Sequence, residues 1–357
     1  MKVLAIVQAR MGSTRFPDKV MQRINEVPMI ELLLNRLSKS KSIDKIILAT
    51  SDSGRNQALV DHVRKMCLEV YQGSENDVLE RYYEAARSYQ PDTVVRITGD
   101  CPLIDAQLVD DIIAEYRLRR VDYLSNTIDP TYPDGLDTEV FSFSSLEKAA
   151  QNAENAFNRE HVTPYIKASG QFNAGNYANS EDLSAERWTV DEPEDLEVIK
   201  AVFGHFYPKT DFTWKEVMKL NNEDPEIFKA NQHIARNEGA KLGIGQKLWK
   251  HAKNVIPGGN MLLSKRAEMF LPDQWPAYFS KAKGCKVWDL DGKEYIDLSI
   301  MGIGTNSLGY GHPEVDEAVI QTVMAGNMST LNCPEEVYLA EKLIEIHPWA
   351  DMARFAR

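Results

Sequence analysis

Met1-Lys-Val-Leu-Ala-Ile-Val-Gln-Ala-Arg-Met-Gly-Ser-Thr-Arg-Phe-Pro-Asp-Lys19 opens with an unbroken apolar run, Val3 to Val7, that passes at once into polar and basic residues. A run this short falls well below the ~20 residues of a membrane helix. Nor does Gln8-Ala9-Arg10 offer the cleavage pattern of a secretory leader. It reads as a strand buried on both faces, followed by a cation-rich loop.

Outward from this strand, short β-branched runs alternate with amphipathic stretches. Leu4 to Val7, Lys45 to Thr50, Val94 to Thr98 and Asp122 to Ser125 are expected strands. Ile30 to Leu37 and Asn76 to Ser88 are expected helices, the second with Val78, Leu79, Tyr82, Tyr83 and Ala86 on one stripe. The rhythm predicts an α/β fold, a Rossmann-like, doubly wound and mostly parallel sheet with helices on both faces. Ligands in such folds gather at the carboxyl ends of the strands. Three polar clusters, Gln8-Ala9-Arg10, Thr50-Ser51-Asp52 and Thr98-Gly99-Asp100, are expected to converge there on one crevice.

The 357 residues hold 41 Lys plus Arg against 53 Asp plus Glu, a net charge of −12. That balance argues against a nucleic-acid partner, so any phosphate site must be local. Between Met1 and Ile24 the balance reverses, with five cations (Lys2, Arg10, Arg15, Lys19, Arg23) and one acid, Asp18. Gly12 lets backbone amides approach an anion, and Arg10, Arg15 and Lys19 can neutralise a polyphosphate. The loop matches neither a P-loop nor a dinucleotide fingerprint. Cys67, Cys101, Cys285 and Cys333 show no zinc-type spacing, which fits reduced thiols in a cytoplasmic protein.

Asp100 stands where a strand ends, in Arg96-Ile-Thr-Gly-Asp-Cys-Pro102. A carboxylate facing phosphates needs a cation between them, and magnesium takes one or two carboxylates plus phosphate oxygens. Asp100 is thus a metal-ligand candidate; the competing role is a simple turn. Asp191, expected to end a short strand before a helix opened by Pro193, is either a second ligand or a helix cap.

Together, Gln8 to Lys19, Ala49-Thr-Ser-Asp52, Gly73-Ser-Glu-Asn-Asp-Val-Leu-Glu-Arg81, Arg96 to Asp105, Tyr132 to Phe141, Arg159-Glu-His-Val-Thr-Pro-Tyr165 and Val190 to Asp195 resemble the cytidylyltransferases that activate acidic sugars of the acylneuraminate type. The likeness is to their spore coat polysaccharide biosynthesis protein F branch and spans about residues 1–238. It implies the nucleotide-diphospho-sugar transferase fold, and attack by an acceptor oxygen on the α-phosphorus of CTP with release of pyrophosphate. Carried over by position, Arg10, Gly12, Ser13, Arg15 and Lys19 would hold the triphosphate, with Gln8 and Ala9 beside them. Asp100 and Asp191 would hold Mg2+, and Ser74 and Asp77 would help read base or ribose. For the small-molecule acceptor, Asp134, Asp137 and Glu139 form one candidate group. Arg159 and His161, after a polar helix, form another, with His161 alternatively structural. The acceptor itself is not named by the resemblance.

Texture changes near Asn237 to Gly245, so residues 1–238, a linker at 239–245 and a second part at 246–357 are expected. In the second part, Gln246 to Val255 and Pro313 to Met324 read as helices and Gly284 to Leu298 as a hairpin about Asp291-Gly292. Val255-Ile-Pro-Gly-Gly259, Gly284 to Leu298, Leu308 to Val315 and Pro334 to Glu341 resemble the start of class III pyridoxal-phosphate aminotransferases, near the glutamate-1-semialdehyde aminomutases. This implies a small α+β segment of an incomplete fold-type I enzyme. In that family the Schiff-base lysine and phosphate cup come later in the chain, so covalent PLP is expected only in a full-length relative. Lys281, Lys283, Lys286 and Lys293 are most simply solvated. The chain is therefore read as a truncated product of a fusion enzyme, with Met261, Leu262, Leu263, Phe270, Ile300 and Met301 lacking cover and a homo-oligomer expected. Two other functions fit less of the sequence: an aminotransferase fragment, and a protein that binds CTP without turnover.

Overall fold

The computed structural model describes residues 1–357 apart from 14, 155, 235, 237–242, 273, 300, 301, 303, 327–329, 356 and 357. The chain divides into two units, Met1–Trp275 and Pro276–Arg357. That division lies beyond the 239–245 segment expected as linker, most of which is outside the described residues. Within the 244–275 stretch, Gln246 bonds to Trp275 and Trp249 to Glu268.

In the first unit, β1 (Val3–Gln8), α1 (Met29–Leu37), β2 (Lys45–Ser51), α2 (Gln57–Lys65), β3 (Glu69–Gly73), α3 (Val78–Arg87), β4 (Thr93–Thr98) and α4 (Ala106–Arg119) follow the expected alternation. Then come β5 (Tyr123–Ser125), β6 (Glu139–Ser142), α5 (Phe143–Asn152), α6 (Ala156–His161), α7 (Pro164–Ala168), β7 (Ala174–Asn176), α8 (Pro193–Phe206), α9 (Trp214–Glu223) and α10 (Ile244–Val255). α3 starts two residues later than expected because Asp77 caps it, its carboxylate accepting the Glu80 amide at 3.0 Å.

The seven-stranded sheet runs β3-β2-β1-β4-β6-β5-β7. β6 runs antiparallel to both its neighbours, and the other pairings are parallel. β1 shows why an unbroken apolar run means a covered strand. Val3, Ala5 and Val7 enter the core layer shared with α1, α2, α4 and α8, while Leu4 and Ile6 enter the opposite layer with α3, α5 and α7. Burying each Val, Leu or Ile of the strand contributes roughly 1.5–3 kcal/mol, and a one-residue slip of β1 would exchange both sets.

The register sets Gln8 level with Ala49 and Thr98, which brings the three polar strand ends side by side. The Gly99 amide donates to the Gln8 carbonyl at 2.7 Å, and a Cβ on Gly99 would lie 2.7 Å from that of Ala9. Glycine is needed at that contact. Among the described residues no helix is long and apolar enough to cross a membrane.

The second unit holds an antiparallel meander, Phe279–Lys283, Lys286–Asp289 and Glu294–Ile296, then helices Pro313–Ala325 and Pro334–Ile346. The hairpin about Asp291-Gly292 and the first of these helices lie where the sequence set them. Neither helix buries a residue, and Val319, Val323, Val337 and Leu339 all stand exposed. In the first unit Met261, Leu262, Leu263 and Phe270 are likewise exposed. Ile300 and Met301 lie outside the described residues.

Candidate active site

The loop after β1 folds back on itself. The Met11 carbonyl accepts from the Ser13 and Asp18 amides, and the Met11 amide donates at 2.8 Å to Asn56, which also bonds Ser51. Asp18 then adopts a left-handed conformation (φ 56°), and a short turn, Lys19–Met21, aims the Lys19 side chain inward. There its ammonium donates to Asp100 at 3.0 Å, to Asp191 at 2.7 Å and to the Val190 carbonyl at 2.9 Å. Arg15 joins from the solvent side, 2.9 Å from Asp191 and 3.4 Å from Glu192.

Residues far apart in sequence thus meet at the carboxyl ends of β1 and β4. Burial opposes the charged form of Lys19, but Asp100 and Asp191 more than offset it, and its pKa stands above the ordinary lysine value. Burial likewise opposes the Asp100 carboxylate, which Lys19 and the Thr98 hydroxyl hold below the usual range.

Asp191 does not end a strand. Arg187 makes an isolated bridge with Asp134, residues 188–190 belong to no strand, and the cap of α8 is Glu192. What fixes this turn is Asp195, fully buried, which accepts the Asp191 and Glu192 amides at 2.8 and 2.9 Å. It also takes two bonds from Arg187, each 2.8 Å, and one from Asn231 at 2.8 Å. Sequence reading missed Arg187, Asn231 and the role of Asp195. The available signal was a lone arginine opening the Arg187-Trp-Thr-Val190 run.

The other candidates are spread over several local networks. Arg10 faces Glu75 at 3.9 Å, and a Cβ on Gly12 would lie 3.8 Å from the same carboxylate, so the two loops oppose each other. Gln8 accepts a long bond from Arg96 at 3.5 Å, and the buried Ala9 donates its amide to Ala49. The Ser13 hydroxyl accepts from Phe16, and that of Ser74 from Asp77. Arg159 binds Asp77 at 2.6 Å and Glu80 at 3.2 Å, tying α6 to α3. Arg159 and His161 lie inside α6, where a polar helix preceding them was expected. Burial lowers the His161 pKa, and its ring lies 4.7 Å from that of Phe157.

Asp134, Asp137 and Glu139 do not converge on one partner. Asp134 meets Arg187 at 3.4 Å, Asp137 meets Arg236 at 2.6 Å, and Glu139 pairs with Arg96. A turn at Gly135 (φ 112°) separates Asp134 from Asp137, and Glu139 opens β6. Burial and the neighbouring Asp137 raise the Asp134 pKa. For Glu139, burial is outweighed by Arg96, with Lys167 and the Tyr123 hydroxyl assisting, and its pKa falls to about 2. An acid held below its ordinary ~4.3 stabilises the fold above that value and loses the contribution as pH drops toward the folded pKa. The melting temperature should therefore fall between about pH 4.5 and 2, and Glu139→Gln should flatten that limb; equal slopes in thermal melts would refute the assignment.

A basic loop facing two carboxylates at the carboxyl edge of a mostly parallel sheet defines a nucleotidyltransferase type of site. Residues 4–227 match the cytidylyltransferase family, and the chain belongs to it. It is 37% identical over 238 residues, 66% of this chain and 96% of the relative, to an uncharacterised protein of Methanocaldococcus jannaschii. To the spore coat polysaccharide biosynthesis protein SpsF of Bacillus subtilis it is 31% identical over 242 residues, 63% and 95% of the two chains. The structure of a cytidylyltransferase from Leptospira borgpetersenii aligns with a TM-score of 0.61 at 32% identity, covering 64% of this chain and 97% of that one.

Residues 272–357 match class-III aminotransferases. There the chain is 34% identical over 114 residues to glutamate-1-semialdehyde 2,1-aminomutase of Methanococcoides burtonii, of which it spans 26%. The lysines of this segment make local contacts or stand exposed. Lys281 and Lys293 lie over the rings of Trp288 and Tyr295, Lys286 pairs with Glu294, and Lys283 and Lys342 are exposed.

Proposed function

We propose that the chain transfers CMP from CTP to an oxygen of a small acceptor, an acidic sugar or related compound, and releases pyrophosphate in the making of a surface polysaccharide. The observation that carries this reading is the meeting of Asp100 and Asp191 on the Lys19 ammonium, with Arg15 alongside. Two carboxylates and a backbone carbonyl about one cationic position are hard oxygen donors, the set magnesium accepts when phosphate oxygens complete its shell. Asp100 and Asp191 would hold that ion, which would draw charge from the phosphate oxygens as the bond to the leaving group breaks.

Arg10, Arg15 and Lys19 bind and orient the triphosphate. The acceptor oxygen forms a new bond to the α-phosphorus as the bond to the bridging oxygen breaks and pyrophosphate departs. Positioning and charge neutralisation do most of the work in such a transfer. By the family resemblance, Ser74 and Asp77 would help read base or ribose; Glu75, between them in sequence, faces Arg10 of the first loop. By the same resemblance, Asp134, Asp137, Glu139, Arg159 and His161 would be the residues that recognise the acceptor. Kinship with SpsF supports a polysaccharide precursor as acceptor, and the aminotransferase-like segment is compatible with an aminated one.

Pyrophosphate release is the test, run with each of the four nucleotides and a panel of keto-sugar acids, sugar phosphates and phosphonates. Release is expected only when CTP and an acceptor are both present. CTP binding without release under any combination would replace this reading with a nucleotide-binding protein.

A further inference from the structure

We propose that Lys19 is the resident cation of the dicarboxylate position in the nucleotide-free protein, so that a divalent ion enters only together with nucleotide phosphate, which draws the ammonium away. This rests on the nucleotidyl-transfer reading above and adds an order of loading to it.

The Lys19 ammonium has three hydrogens, and the site offers three acceptors: Asp100 Oδ2 at 3.0 Å, Asp191 Oδ1 at 2.7 Å and the Val190 carbonyl at 2.9 Å. Each donor is matched. The side chain is 11% exposed, so the charge is held away from bulk water. A magnesium ion bound by the same carboxylates sits 2.0–2.1 Å from its ligand oxygens, and a second cation between those oxygens would repel it strongly. One must leave for the other to enter.

Leaving costs free energy unless another anion receives the ammonium. Glu192 is already engaged by Arg15, which also shares Asp191. Among the described residues, no group of three or more His, Cys, Asp or Glu is placed to hold a metal on its own. A polyphosphate supplies both missing elements, a new partner for Lys19 and further oxygens for the ion. The backbone can stay in place, since the Asp18 amide pins the loop to the Met11 carbonyl at 3.1 Å; only the flexible lysine stem needs to swing. By linkage, nucleotide and metal must then raise each other's affinity by the same factor.

Protein-bound Mn2+ measured by equilibrium dialysis tests this without turnover. Wild type, Lys19→Met and Lys19→Gln are compared, each alone and with α,β-methylene-CTP. Wild type alone should bind Mn2+ weakly, and the analogue should tighten binding by on the order of tenfold or more, within the usual span of such couplings. Both variants should bind Mn2+ about tenfold tighter than wild type in the absence of nucleotide and gain less from the analogue. Wild type binding Mn2+ alone as tightly as the variants overturns the inference, as does tightening by the analogue that both variants retain in full. Failure of wild type to bind Mn2+ even with the analogue overturns instead the magnesium-dependent transfer on which the inference rests.

Discussion

Replacing Asp100 with alanine lowers CTP-dependent pyrophosphate release by at least about a hundredfold, the loss typical of removing one preorganised charge-stabilising group, while the melting temperature moves by only a few degrees. Two features separate these effects. The Asp100 side chain is 25% exposed, so its truncation empties little of the core. Lys19 also keeps two acceptors, Asp191 and the Val190 carbonyl, so the loop carrying it stays anchored. The charge balance of the crevice, by contrast, changes outright, because a site meant to hold an ion against phosphate would retain one of its two carboxylates. Asp100→Asn, which preserves shape and removes charge, should be nearly as inactive. A coupled pyrophosphate assay and a thermal melt on the same preparations decide the matter. Either variant retaining activity within a few-fold of wild type would remove Asp100 from the chemistry.

The fold was legible because its defining signal is local. Val3 to Val7 is apolar at every position, the pattern of a strand covered on both faces. The strand ends were legible for the same reason, since each polar cluster directly follows its apolar run. Lys19, Asp100 and Asp191 could be gathered only through family likeness, as 81 residues separate the first two and 91 the last two. Less visible was anything set by side-chain pairing across the fold. The sequence did not show that the Asp77 carboxylate also caps α3 and binds Arg159. Nor did the sequence show that Asp134, Asp137 and Glu139 each pair with a different arginine. A spacing pattern tells which residues share a segment; which cation each one finds depends on elements that arrive later in the chain, such as Arg187 and Arg236.

Asp195→Ala should be the most destabilising single change near the site. The Asp195 side chain is fully buried, and Arg187, which it binds through two 2.8 Å bonds, is 5% exposed. Truncation leaves that guanidinium in the interior with Asp134 at 3.4 Å and Asp191 at 3.7 Å as its remaining acid partners. It also strips the acceptor from the Asp191 and Glu192 amides at the start of α8 and from the Asn231 amide. Breaking a buried ion pair from one side costs about 3–5 kcal/mol, which in a domain of this size lowers the melting temperature by roughly 10 °C. Asp195→Asn keeps the shape and part of the hydrogen bonding, so it should fall between wild type and alanine. Both variants should lose activity as well, because Asp191 is positioned through its own backbone bond to Asp195. Thermal melts measure the effect directly: an alanine variant that unfolds within about 2 °C of wild type would mean that Arg187 finds adequate partners elsewhere and that the turn carrying Asp191 is held by something other than Asp195.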